Sequence, residues 1–257
     1  MTAFLEVRGL TVAYGGAVAV SDVSLSAAVG RITGLIGPNG AGKTSTFNAI
    51  SGLVRAAAGS VLIEGRDVTR TRPAARAQLG LGRTFQRVQV CEGMTVRENI
   101  AVGIECLIAG GSAWRHLISR GRERSEIATR TQAAIAICGL NAIADTYVGT
   151  LSTGQRRLVE LARVIATEFT MLLLDEPSSG LDEAETAAFG AVLQRVVAER
   201  GCGILLVEHD MSLVMEVCDF IHVLDFGQPL FEGSPAEVRD SAVVRAAYLG
   251  DDQGAAA

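Results

Sequence analysis

The sequence predicts an α/β fold with a parallel sheet, an N-terminal antiparallel β subdomain and an inserted α-helical subdomain. Three observations lead there. Met171 to Leu174 and Ile204 to Val207 are short and continuously apolar, as central parallel strands covered on both faces should be. Helical periods precede and separate them: Leu158, Leu161, Ala162 and Ile165 share one face of Gln155 to Glu168, before the first strand, and Phe189, Val192, Leu193, Val196 and Val197 repeat that spacing between the two. A glycine-rich loop, Gly37 to Gly42, separates a strand from a helix. With 257 residues, 49% hydrophobic and 20% charged, the chain can bury a substantial core, and 29 glycines against 5 prolines fit neither a disordered nor a fibrous protein.

In chain order, Phe4 to Arg8, Leu10 to Tyr14 and Val23 to Ala28 read as short antiparallel strands with Gly15-Gly16 as a turn. Arg31 to Ile36 is a further strand, and helix is expected over Thr46 to Ile50. Val61 to Glu64 is strand-like, Pro73 to Leu79 is a short helix opened by proline, and Leu81 to Phe85 is another strand. Thr95 to Ile137 turns helical, interrupted by the basic stretch Gly110 to Arg124, which surrounds Trp114 with Arg115, His116, Arg120, Arg122 and Arg124. Residues 1–250 are expected to form one domain, its core 1–87 and 151–250, its helical subdomain about 88–150, with a flexible tail at 251–257.

Charge and composition exclude several classes. A net charge of −5 argues against a general nucleic-acid binder. No apolar run approaches the roughly 18 residues of a membrane span, and Met1 to Gly9 carries no secretory pattern. The cysteines, at 91, 106, 138, 202 and 218, form no C-x-x-C pair and are expected as reduced, mostly buried thiols. Among 23 basic residues only Lys43 is a lysine. A chain that uses arginine for every other cation is expected to keep lysine where a compact ammonium is needed.

Lys43 lies in Gly37-Pro38-Asn39-Gly40-Ala41-Gly42-Lys43-Thr44, a full match to G-x-x-x-x-G-K-[ST] in the strand–loop–helix context that pattern requires. Backbone N–H groups of such a loop wrap phosphates, the helix adds its positive end, Lys43 reaches the β and γ phosphates, and the Thr44 hydroxyl can ligate Mg²⁺. Ser45, next in the chain, joins the same nucleotide-binding set. Asp175 ends an apolar strand and can hold Mg²⁺, and Glu176 beside it can polarise an attacking water. Leu151-Ser152-Thr153-Gly154-Gln155, ending 20 residues before Asp175, opens a helix and supplies a second anion site through Ser152 and Gly154.

This last segment resembles the signature motif of ATP-binding cassette proteins, with Thr153 in place of the commonest glycine. The resemblance implies a P-loop NTPase core and further site residues. Tyr14, 29 residues before Lys43, would stack on adenine; Gln86 would touch Mg²⁺ and the attacking water; Asp182, in Ser178 to Asp182, would cross a dimer interface; and His209 would contact the γ-phosphate. His222 is assigned to a packed strand and His116 to the basic insert. Arg83-Thr84-Phe85-Gln86, Gly93 to Asn99, Glu208-His209-Asp210-Met211 and Ala247-Tyr248-Leu249-Gly250 resemble the ATPase subunit of branched-chain amino acid importers, and are shared with subunits for urea, amides and aromatic acids and, more distantly, with lipopolysaccharide export ATPases.

That resemblance implies an ATP hydrolase that works as a dimer with a second ATPase subunit, identical or related, at the cytoplasmic face of the membrane. Its partners would be integral membrane permease subunits and, indirectly, an extracytoplasmic solute-binding protein, with no nucleic acid. ATP and Mg²⁺ are the implied ligands. The rival reading, a soluble cassette ATPase acting on nucleic acid or ribosomes, sits poorly with a single cassette, no heptad run and negative net charge.

Overall fold

The computed structural model describes residues 4–84, 90–109 and 120–251. Gln86, Trp114, His116 and residues 252–257 lie outside the described residues. The chain divides into two compact units, one of Met1–Arg83, Thr170–Glu176 and Val197–Ala257, the other of Thr84–Phe169 and Pro177–Val196.

The first unit contains two sheets. Strands β1 (Leu5–Tyr14), β2 (Ala17–Ala27), β4 (Ala58–Ile63) and β5 (Arg66–Asp67) form an antiparallel sheet in the order β2-β1-β4-β5. The two short strands expected at the N-terminus are one continuous β1. Gly9 joins them: at φ 57° it shifts the register between Val7 and Leu10, and its N–H donates to Ser24 Oγ at 2.9 Å. Alternation along β1 and β2 turns Leu5, Leu10, Val12, Val20 and Val23 inward, where they are buried with Phe47 and Ile50 of α1 (Lys43–Ser51). Each such side chain contributes roughly 1.5–3 kcal/mol when fully buried.

The second sheet runs β10-β9-β3-β8-β7-β6. Strands β3 (Ile32–Ile36), β6 (Leu81–Arg83), β7 (Met171–Asp175), β8 (Gly203–Val207) and β9 (Phe220–Asp225) are parallel, and β10 (Gln228–Gly233) is antiparallel to β9. The central strands β3, β7 and β8 are buried at every position, which is why Met171 to Leu174 and Ile204 to Val207 read as unbroken apolar runs. The β9–β10 hairpin turns through Phe226 and Gly227, at φ 44° and 76°, the two positive values a tight primed turn demands. His222 on β9 is packed as expected, with Nε2 3.3 Å from Ser26 O and Nδ1 3.1 Å from Glu232 Oε2.

In the second unit the helical stretch resolves into α3 (Val96–Ala109) and α4 (Arg120–Ile137), both packed on α5 (Thr153–Ile165). Buried Ile100, Ile104, Ala134, Ile135, Val159 and Leu161 lie on these three helices. Asn99, itself buried, accepts from Cys91 N at 2.8 Å and donates to Cys91 O and Thr95 O at 3.0 Å, tying the loop before α3 to its first turn. The first-unit helices α2 (Pro73–Gln78), α7 (Met211–Val217), α8 (Pro235–Asp240) and α9 (Ala242–Asp251), with α6 (Glu183–Arg200), complete the chain. All five thiols are free; Cys138, Cys202 and Cys218 are buried, whereas Cys91 and Cys106 are exposed. Among the described residues no helix is long and apolar enough to cross a membrane.

Candidate nucleotide site

Register alone brings the chemistry of the first unit together. Leu35 of β3 and Asp175 of β7 both pair with Val207 of β8, so the glycine loop, Asp175-Glu176 and Glu208-His209 all leave the sheet at one carboxyl edge. Ligands of open parallel sheets bind at such an edge.

The loop is built by backbone geometry that only glycine accepts. Gly42 has φ 89°, and a Cβ there would stand 2.7 Å from Ala19 O; a Cβ on Gly37 would run into the carbonyl of Leu224. Pro38 and Ala41 are buried, while Asn39, Gly40 and Thr44 face outward and Ser45 is half-buried at the first turn of α1. Lys43, also buried, points its ammonium back into the loop, donating to Gly37 O at 2.6 Å and Pro38 O at 3.0 Å. The lone lysine therefore sits where a three-donor point charge closes the loop on itself.

Asp175 is only 1% exposed. Its Oδ2 accepts from Arg83 at 3.1 Å, and its Oδ1 has no hydrogen-bond partner among the described residues. Burial pushes the carboxyl above the usual carboxylate range; Arg83 opposes that, Glu176 adds to it and Lys43 counters it. A buried carboxylate oxygen left unpartnered, with the Thr44 hydroxyl on the same loop edge, is a donor set that fits a hard divalent cation. Glu176 follows at φ 47°, rare for a residue with a side chain, and its N–H donates to Val207 O at 2.9 Å. His209 is exposed, with its N–H 3.2 Å and its Nδ1 3.8 Å from Glu208 Oε2. Tyr14 ends β1, 46% exposed, before the Gly15-Gly16 turn.

Ser152, Gly154, Gln155 and Asp182 belong to the second unit. Ser152 caps α5: its Oγ accepts from Gln155 N at 3.2 Å while Gln155 Oε1 accepts from Ser152 N at 3.1 Å. Asp182 precedes α6 and accepts from Glu185 N at 2.8 Å.

Two residues of this site went unassigned in the sequence. Arg83 stacks on Phe47 and donates to Asn48 Oδ1 at 2.8 Å and Ser51 Oγ at 2.7 Å as well as to Asp175, tying α1 to β7. Tyr248, on α9, buries its hydroxyl beside the Gly37 backbone, and burial pushes that phenol up to about 12. Both stand in segments that carry the family resemblance, Arg83 to Gln86 and Ala247 to Gly250, but nothing in either segment says that its arginine or tyrosine reaches the loop.

A phosphate-type loop between a parallel strand and a helix, with an acidic pair on the next strand but one, defines a P-loop nucleotide-binding ATPase. Residues 20–179 match the family model described as ABC transporter, and residues 228–253 match the one described as Branched-chain amino acid ATP-binding cassette transporter. The chain belongs to the ABC transporter family, as an ATP-hydrolysing subunit.

Among its relatives, the high-affinity branched-chain amino acid transport ATP-binding protein BraF of Pseudomonas aeruginosa is 36% identical over 96% of this chain and 98% of its own length. LivG of Escherichia coli, with the same description, has the same identity and coverage. The lipopolysaccharide export system ATP-binding protein LptB of Acidithiobacillus ferridurans is 35% identical over 98% of each chain. A crystal structure of the ADP conformation of an ATP-binding cassette of an ABC transporter superposes with a TM-score of 0.85 at 29% identity, covering 97% of this chain and 100% of that one.

Proposed function

We propose that this subunit hydrolyses ATP in a pair of cassettes and thereby powers import of branched-chain amino acids, or a related small polar solute, through separate permease subunits at the cytoplasmic face of the membrane. The hydrolytic reading is carried by the meeting of Lys43, Asp175, Glu176 and His209 at one sheet edge. The solute reading is carried by the match of residues 228–253 to the branched-chain amino acid model. Resemblance to an LptB supports export as a second reading, and that C-terminal match favours import over it.

In the proposed reaction the loop from Gly37 to Ser45 binds the phosphates, Lys43 turns its ammonium from the loop carbonyls to the β and γ oxygens, and Tyr14 stacks on adenine. Glu176, held by its strained backbone at the end of β7, orients and polarises the attacking water, and His209 steadies the γ-phosphate. Thr44, Gln86 and Asp175 would hold Mg²⁺, which neutralises charge on the phosphate oxygens when bound. Ser152, Gly154 and Gln155 close over ATP held by the other cassette, with Asp182 at the dimer interface. Phosphoryl transfer needs positioning and charge stabilisation more than covalent chemistry, so half a site alone should turn over slowly.

Glu176→Gln is expected to bind ATP, to lose at least about a hundredfold in turnover and to accumulate a closed dimer by size-exclusion chromatography. Hydrolysis at the parent rate in that variant would remove Glu176 from the base role. For the solute, uptake of labelled leucine against labelled urea in cells carrying or lacking the gene separates the import readings.

A further inference from the structure

The geometry points to Glu185 as a positioning residue that competes with ATP for the N-terminus of α5. Its carboxylate lies directly over Gly154. An added Cβ there would meet Glu185 Oε1 at 2.7 Å and its carboxyl carbon at 2.8 Å. The same Oε1 stands 3.5 Å from Ser152 Oγ, and Oε2 lies 3.4 Å from Asp182 N. The group is held from behind, because Glu185 N donates to Asp182 Oδ1 at 2.8 Å in a reciprocal cap at the start of α6. One carboxylate therefore caps the start of α6 and lies against Ser152 and Gly154 at the start of α5, the two residues to which the proposed reaction brings a γ-phosphate.

Two anions cannot share that place. ATP presented by the other cassette reaches Ser152 and Gly154 only when Glu185 swings off Gly154, and it must repel or displace a like charge to do so. Glu185 thus raises the ATP concentration at which the pair closes, and it does so through Ser152 and Gly154 without touching the reacting atoms. A role confined to capping α6 would stabilise the fold and leave the ATP requirement where it is. This inference rests on the reading of Ser152 to Gln155 as the segment that meets the other subunit's ATP.

Glu185→Gln tests it, because glutamine keeps an acceptor for Asp182 N and a good residue for the third helical position while removing the charge. Hydrolysis is followed against ATP concentration on the ATPase pair as it purifies from cells, with melting temperature as the control for folding. The expected result is a half-saturating ATP concentration about three- to tenfold lower, with kcat within about twofold, from removing one charge at a helix terminus. Glu185→Asp, which keeps the charge, should stay nearer the parent, and Glu185→Ala should lower half-saturation while also lowering the melting temperature. An unchanged or raised half-saturation in Glu185→Gln overturns the proposal. Ser152→Ala distinguishes the two possible failures. If it is impaired while Glu185→Gln is unmoved, Glu185 alone is wrong; if Ser152→Ala hydrolyses ATP like the parent, the reading of the α5 N-terminus fails and the Glu185 proposal fails with it.

Discussion

Lys43 is buried and donates to Gly37 O at 2.6 Å and Pro38 O at 3.0 Å, two acceptors that a compact ammonium meets and a planar guanidinium fork would approach differently. Lys43→Arg keeps the charge and changes only its shape. It is expected to weaken ATP binding by on the order of tenfold, measured by calorimetric titration, and unchanged affinity would refute the role given to the lone lysine. Arg83 permits a test of sign at the neighbouring group. Its charge holds the buried Asp175 carboxyl down against burial, so Arg83→Gln should let that carboxyl rise further. Ionised Asp175 then appears only at higher pH, and the acid limb of the pH–rate profile should move upward; a limb that stays in place would detach Asp175 ionisation from turnover. Arg83 was invisible as a site residue because it and Asp175 are 92 positions apart and meet only through the pairing of β6 with β7.

At the scale of elements, caps decide where the functional loops stop. Asp210 ends the segment that carries His209 and caps α7, accepting from Ser212 N at 2.9 Å, Ser212 Oγ at 2.5 Å and Leu213 N at 3.2 Å. Those bonds favour the ionised form, so its carboxyl titrates below the ordinary 3.8. A depressed folded value stabilises the fold above the unfolded value, and that contribution is lost as pH falls through the folded one. Asp210→Ala should therefore cost about 1 kcal/mol near neutrality and progressively less below pH 3.8, as read from urea midpoints across that range. The elements most legible in the sequence were those with an unbroken signal. Strands β7 and β8 are buried on both faces and carry the apolar runs Met171 to Leu174 and Ile204 to Val207, and the face of α5 repeats every three or four residues. The β9–β10 hairpin is hard to see in the sequence because its turn places Phe226, a bulky residue, at φ 44°, where turn chemistry favours asparagine or glycine. The sequence places the start of α1 at Thr46, three residues late, because Thr44, Ser45 and Thr46 are weak helix formers that follow a glycine loop, whereas the helix begins at Lys43.

At the scale of the whole molecule, sequence motifs mark two candidate anion sites, and their residues fall in different units. Lys43, Asp175, Glu176 and His209 fall in the first unit, and Ser152, Gly154 and Asp182 fall in the second. What the motifs could not reveal was the carboxylate on the second site, since Glu185 reads as an ordinary helix-opening glutamate until its distance to Gly154 is known. A reaction that needs both sites on one ATP, each supplied by a different chain, has a rate that depends on how often two chains meet. Specific ATPase activity should then rise with protein concentration and level off once the pair is saturated, and a related partner subunit should steepen the rise if it is the preferred companion. Glu176→Gln added in excess should poison the parent protein by forming pairs with one dead site. Specific activity independent of concentration over a hundredfold dilution, with no inhibition by Glu176→Gln, would mean that one chain completes its own site, and Ser152 would then have to serve the ATP held by Lys43 of the same molecule.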